Sequence, residues 1–203
     1  MAHSIGDAIL LYEAIELPDR QADAFYSAMA ALTSLLAQPP LNVHVSTLRM
    51  SPDLLSELLA KLASESDHGM RALALGDFLG DSFKRLPGVL LACPENHELA
   101  RVAEADNRKA VWGGVLGPLG LTYRPENRHL VWHEALHLLG AKDCYELPDE
   151  GQNCGTAKCI MRYVPREDTV GEWPFLCQSN CEAVQKRVSN LRRGAASDDN
   201  REA

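Results

Sequence analysis

The stretch Val131-Trp-His-Glu-Ala-Leu-His-Leu-Leu-Gly-Ala-Lys-Asp-Cys144 decides how the chain is read. His133 and His137 stand four residues apart, so on a helix they lie one turn above each other and face the same way. Two imidazoles so placed can hold one cation. In the His-Glu-x-x-His arrangement the glutamate, here Glu134, is not a ligand but the base that takes a proton from the metal-bound water. Gly140 extends the pattern. A glycine three residues past the second histidine can end the helix in the left-handed conformation, which swings residue 143 back toward the histidines. That residue is Asp143, an oxygen donor. The segment reads as the core of a zinc hydrolase, with His133, His137 and Asp143 as ligands and Glu134 as general base. His129 shares their helical face, but the continuation from Gly140 supplies a third ligand with better geometry.

Upstream, strands and helices alternate. Residues 8–17 form a short apolar run stopped by Pro18, a buried strand. From Arg20 to Ala37, Phe25, Met29, Leu32, Leu35 and Leu36 recur at helical spacing, and Pro39-Pro40 ends the helix. Leu41, Val43 and Val45 alternate with polar neighbours, which predicts a strand over 41–48 with His44 on its exposed side. Ser51-Pro52 opens a helix to about Ser64, with the serine as N-cap. Residues 71–76 and 88–93 read as two further strands. The second is so continuously apolar that it suits the centre of a sheet, with Cys93 as a packed thiol. Residues 111–119 carry three glycines and a proline, which are tolerated at a sheet edge and not in its centre. An edge strand just before the metal helix offers an extended peptide something to pair with.

Five of the six cysteines follow that helix, at 144, 154, 159, 177 and 181. In a reducing compartment, clustered thiols bind metal more often than they cross-link. Cys177 and Cys181 offer two thiolates close together, and Cys144 and Cys159 complete a tetrahedral set. Cys154 is left over, and Cys144 with Cys154 would make a local disulfide if the protein were oxidised. A structural zinc suits this turn-rich region, which has few apolar side chains to stabilise it otherwise. A last helix is predicted over 182–191, with Val184, Val188 and Leu191 on one face and Gly194 at its end. The chain then divides into a catalytic part, 1–140, a cysteine-rich part, 141–194, and a disordered tail, 195–203.

At 203 residues and 46% hydrophobic, the chain is long enough for one good core. Its net charge of −8 sets it against a phosphate backbone, so no nucleic-acid partner is expected. The start lacks a signal-peptide pattern and no apolar run is long enough to span a bilayer, so a cytoplasmic protein without a membrane partner is expected.

His133-Glu134-x-x-His137-x-x-Gly140-x-x-Asp143-Cys144, then Cys159-x-Met161 and the pair Cys177 and Cys181, resemble the archaemetzincin family of the metzincin metallopeptidases. That family carries a glycine-linked third histidine followed directly by cysteine, then Cys-x-Met and a close cysteine pair. The resemblance covers residues 131–181. It implies a metzincin-like α+β fold: a twisted mixed sheet with packed helices, the active-site helix among them, and a small zinc-stapled C-terminal lobe. It also implies a catalytic zinc on His133, His137 and Asp143, with Glu134 as base and Met161 in a turn forming the floor beneath the metal. A second, structural zinc would sit on Cys144, Cys159, Cys177 and Cys181, with Cys154 able to stand in for Cys144.

The chain departs from the family in three places: Asp143 replaces the third histidine, Cys144 and Cys159 are further apart, and three residues rather than two separate Cys177 from Cys181. An anionic ligand lowers the metal's effective charge, so it activates its water less strongly. Ile160-Met161-Arg162-Tyr163 also resembles the turn of astacin-like and serralysin-like metzincins, in which a tyrosine at this offset reaches the zinc. That likeness implies Tyr163 as a hydrogen-bond donor to the oxyanion of the tetrahedral intermediate.

The expectation is a monomeric zinc metallopeptidase, carrying one catalytic and one structural zinc and acting on peptide or protein substrates. The alternative is a zinc-containing peptide-binding or regulatory module without turnover. Intact Glu134 argues against it, since a pure binding site needs no base beside the metal. Because Asp143 and Cys144 are adjacent, one turn of chain delivers a ligand to each metal, so losing the cysteine site should loosen Asp143 first.

Overall fold

A continuously apolar segment has no polar face to offer water, and Gly88–Ala92 takes the place such a segment requires: buried at every position, it is the middle one of the five strands found among the described residues. The computed structural model describes residues 8–64, 78, 86–99, 113–144, 159–161 and 176–199. Along the chain these form β1 (Ala8–Ala14), α1 (Asp19–Leu36), β2 (Val45–Arg49), α2 (Pro52–Ser64), β3 (Gly88–Ala92), β4 (Gly113–Leu116), β5 (Leu119–Thr122), α3 (Arg128–Leu138) and α4 (Gln178–Asp199). The sheet order is β2-β1-β3-β5-β4; β2, β1, β3 and β5 are parallel, and β4 runs antiparallel to β5. The protein is therefore α+β with a mixed sheet.

Because side chains alternate across a strand, the sheet supports two apolar layers. Leu10, Leu90 and Ala92 face a layer built with Phe25, Met29 and Leu32 of α1, Val131, Trp132 and Leu136 of α3, and Val184 and Val188 of α4. Leu11, Val89, Leu91, Leu119 and Leu121 face the other layer, closed by Leu58 and Leu62 of α2. The Ser51 hydroxyl caps α2 by accepting the Leu54 N–H at 3.3 Å. Gln185 ties α4 to the loop before β2, its amide nitrogen donating to the carbonyls of Pro40 and Leu41 at 2.9 and 2.8 Å. Among the described residues no helix is long and apolar enough to cross a membrane.

Three sequence expectations change. The second strand starts at Val45 rather than Leu41, because Leu41 and Asn42 both donate back to Gln38 and Asn42 takes a φ of 51°, which no strand residue adopts. Residues 111–119 are not one edge strand: the chain reverses at Gly117-Pro118, so β4 forms the edge while Leu119 begins an inner strand between β4 and β3. The last helix starts at Gln178, passes through Gly194 and ends at Asp199, so the tail expected to be disordered from 195 is helical to 199. One glycine costs about 1 kcal/mol inside a helix, which does not stop one already propagating. The strand expected at 71–76 lies outside the described residues.

Candidate metal centre

Helix α3 is held in place before any metal is considered. Asn127 caps it, its side-chain oxygen accepting the Leu130 N–H at 3.2 Å, and the Trp132 indole donates to the Ala28 carbonyl of α1 at 2.8 Å. Eight of the eleven residues of α3 are buried, His133 at 8% and Glu134 at 5% exposure among them. Burying such groups is costly unless each finds a partner.

The histidine partners define their chemistry. His133 Nδ1 lies 2.9 Å from the Ile160 carbonyl oxygen, and His137 Nδ1 lies 3.0 Å from that of Ala141. Carbonyls only accept, so each Nδ1 carries the proton and, in the neutral ring, each Nε2 carries the lone pair. The two Nε2 atoms are 3.1 Å apart, and each is 3.2 Å from Asp143 Oδ1. Three electron-rich atoms converge there, an arrangement that a cation among them stabilises. Two imidazoles and a carboxylate also match a catalytic zinc set, three protein ligands with one position left for water or substrate.

The turn after α3 brings Asp143 to this point. The Gly140 and Ala141 amides donate to the His137 and Leu136 carbonyls, both at 2.9 Å, in the double bond of a Schellman cap. Gly140 holds the positive φ the cap needs, 95°, and a side chain there would meet Arg187 Cβ at 3.2 Å. The cap also delivers the Ala141 carbonyl to His137. His129, on the same face, is outside the group, and its Nε2 is buried without a hydrogen-bond partner among the described residues. Burial, with His133 close by, lowers its pKa.

Burial disfavours charge on both His137 and Asp143, but each outweighs this for the other: the carboxylate raises the His137 pKa, and the histidines hold Asp143 well below its usual range. A lowered carboxylate adds stability above its unfolded pKa of 3.8 and loses it as pH falls through the folded value. A raised histidine adds stability below 6.5 and loses it as pH rises through its own folded value. The chelated protein should therefore be most stable between those two pH values. With metal bound, melting temperature should instead climb across the upper end of that range, because protons compete with the metal. Thermal melts against pH, with and without chelator, check this change of slope.

Glu134 stands beside the ligand group. Its Oε2 is buried and has no hydrogen-bond partner among the described residues, and burial raises its pKa against the opposing pull of His133 and His137. The backbone of β4 passes so close that a side chain on Gly113 would lie 2.9 Å from Glu134 Oε1 and 2.6 Å from the Leu121 carbonyl oxygen. Glycine at 113 is thus a requirement of the site, one that its sequence context does not reveal.

The cysteines form a second group. Cys144 Sγ lies 3.7 Å from Cys177 Sγ and 3.8 Å from Cys159 Sγ, and all five described cysteines are reduced and buried. Burial opposes ionisation of Cys177, but hydrogen bonds from the Ser179 hydroxyl, the Asn180 amide and Cys144 outweigh it and lower its pKa; burial raises that of Cys159. Cys181, expected as a fourth ligand, is not part of this three-sulfur group. It sits one turn into α4 with its thiol donating to the Leu176 carbonyl at 3.4 Å, and burial pushes its pKa up to about 11. Cys154 and Tyr163 lie outside the described residues. Met161 is fully buried, and its carbonyl accepts the Cys144 N–H at 2.8 Å. The segment Cys159–Met161 thus contributes to both groups: a sulfur to one and, through the Ile160 carbonyl, the orientation of His133 to the other. Both groups are compatible with zinc.

Sequence reasoning missed Asn180, which is fully buried in the first turn of α4. A signal was present: positions 177, 180, 181, 184 and 188 recur at helical spacing, and an amide on that otherwise apolar stripe is out of place. No protein-family model matches the chain, and neither does any curated protein.

Proposed function

We propose that this chain is a monomeric, cytoplasmic zinc metallopeptidase of the archaemetzincin type that cleaves peptide bonds with Glu134 as general base. One observation carries the reading: a buried carboxylate with a raised pKa, one oxygen of which has no partner among the described residues, adjoins a two-histidine, one-aspartate group. Such a carboxylate is costly to keep, and a site that only held a metal would have no use for it. Zinc on His133, His137 and Asp143 would polarise the scissile carbonyl and acidify the attacking water. Glu134 Oε2 takes the proton from that water and hands it to the leaving nitrogen. The Ile160 and Ala141 carbonyls hold both Nε2 atoms toward Asp143, where the metal would bind, and Tyr163, on the resemblance of its turn to that of astacin-like metzincins, would donate to the developing oxyanion. The outer edge of β4 carries no strand among the described residues and Val115 on it is 38% exposed, so an extended peptide can pair there beside Glu134.

The test is digestion of a broad peptide library by the full chain, with and without chelator. The expected result is cleavage that chelation abolishes and added zinc restores, with zinc analysis of the reduced protein finding both groups filled. Absence of chelator-sensitive cleavage across the library, with zinc still bound, would overturn the peptidase reading in favour of a binding module.

A further inference from the structure

Asn180 belongs to neither ligand group, yet its side chain reaches between them. A buried primary amide has two donors and an acceptor oxygen to satisfy. Asn180 Oδ1 accepts the Lys142 N–H at 2.8 Å, while Nδ2 donates to the Lys142 carbonyl at 2.8 Å and to Cys144 Sγ at 3.2 Å. Residues 142 and 144 flank Asp143, so one side chain fixes the chain on both sides of the carboxylate that meets His133 and His137. The Asn180 backbone N–H points to a second sulfur, that of Cys177.

We propose that Asn180 is a positioning residue that couples the two groups, so that a soft divalent cation on Cys144, Cys159 and Cys177 tightens cation binding at His133, His137 and Asp143. This rests on the metal-site reading above. A neutral thiol is a weak hydrogen-bond acceptor, whereas a metal-bound thiolate is a strong one. Loading the cysteine group therefore strengthens the bond from Nδ2 to Cys144 and stiffens the clamp on Lys142. Less freedom is then left for Asp143 to lose when it closes on its own cation. Supporting hydrogen bonds of this kind change metal affinity by about 10- to 100-fold, and the coupling acts equally in both directions.

The experiment uses the full reduced chain. Cobalt is titrated against a chromophoric chelator, with the cysteine group either empty or preloaded with cadmium, which prefers sulfur. The d–d absorption reports cobalt on the histidines, and the sulfur-to-cobalt charge-transfer band separately reports any on the cysteines. Cadmium should tighten cobalt binding at the histidine group about tenfold or more. Asn180→Asp keeps the size and the acceptor for the Lys142 N–H but has no donor for Cys144 or for the Lys142 carbonyl, and should bring that ratio close to one. A ratio near one in the unsubstituted protein overturns the coupling without need of any variant. An Asn180→Asp protein that keeps the full ratio overturns Asn180 as the residue that carries the coupling. If cobalt fails to bind the histidines in either state, the metal-site reading itself falls and the coupling with it; that outcome is distinct from tight binding without coupling.

Discussion

Glu134→Gln is expected to keep both metal groups and to lower kcat for peptide hydrolysis by roughly 10²- to 10⁴-fold, the usual contribution of a positioned proton-transfer group. Glutamine has the shape of glutamate and fits the same space against Gly113, but it cannot take a proton from water. The same substitution should raise the thermal midpoint of the metal-free protein at neutral pH. Burial raises the Glu134 pKa, so above the unfolded value of 4.5 the ionised side chain weakens the fold, and a neutral isostere removes that cost. Activity and stability should move in opposite directions. Steady-state kinetics on a peptide found in the library, zinc analysis and a thermal melt measure all three quantities, and near-normal turnover in this variant would refute the assigned base.

Asp143→Asn is expected to empty the histidine group while leaving the cysteine group filled. An amide oxygen is neutral, so the converging Nε2 atoms of His133 and His137 lose their anionic partner. The affinity loss should exceed the roughly 10- to 100-fold that removing a merely supporting hydrogen bond brings. Dialysis against a weak chelator followed by metal analysis should find zinc retained by the cysteines alone. Full retention at both groups would mean that the third ligand lies elsewhere, and His129, whose Nε2 has no partner among the described residues, would be the first residue to test.

Much of this geometry could be read from residue spacing. Helices α1 and α2 each bury one stripe, β3 is apolar throughout, and α3 carries its ligands at a one-turn interval, so periodicity alone locates them. Gly140 was legible because a helix end followed by a returning ligand needs a residue that accepts positive φ. Other features depend on contacts between segments distant in sequence. Nothing in residues 111–119 says that the chain reverses at Gly117-Pro118, because glycine and proline serve an edge strand and a turn equally well. The close pass of Gly113 over Glu134 exists only once β4 has paired with β5 and α3 has packed beneath them. Spacing placed Cys181 near Cys177, but the direction of its thiol is set by the carbonyl of Leu176.

The clamp on Lys142 also orders events in time. His133, His137 and Asp143 come from one short segment, and closing such a loop is fast. Asn180 lies 38 residues beyond Lys142, and its helix must dock on the core before its amide can reach that backbone. A chain growing from its N-terminus thus exposes its ligands well before it can hold them in register. On the proposed coupling, maturation of the centre would be a late event, set by the docking of the last helix and not by the appearance of the histidines.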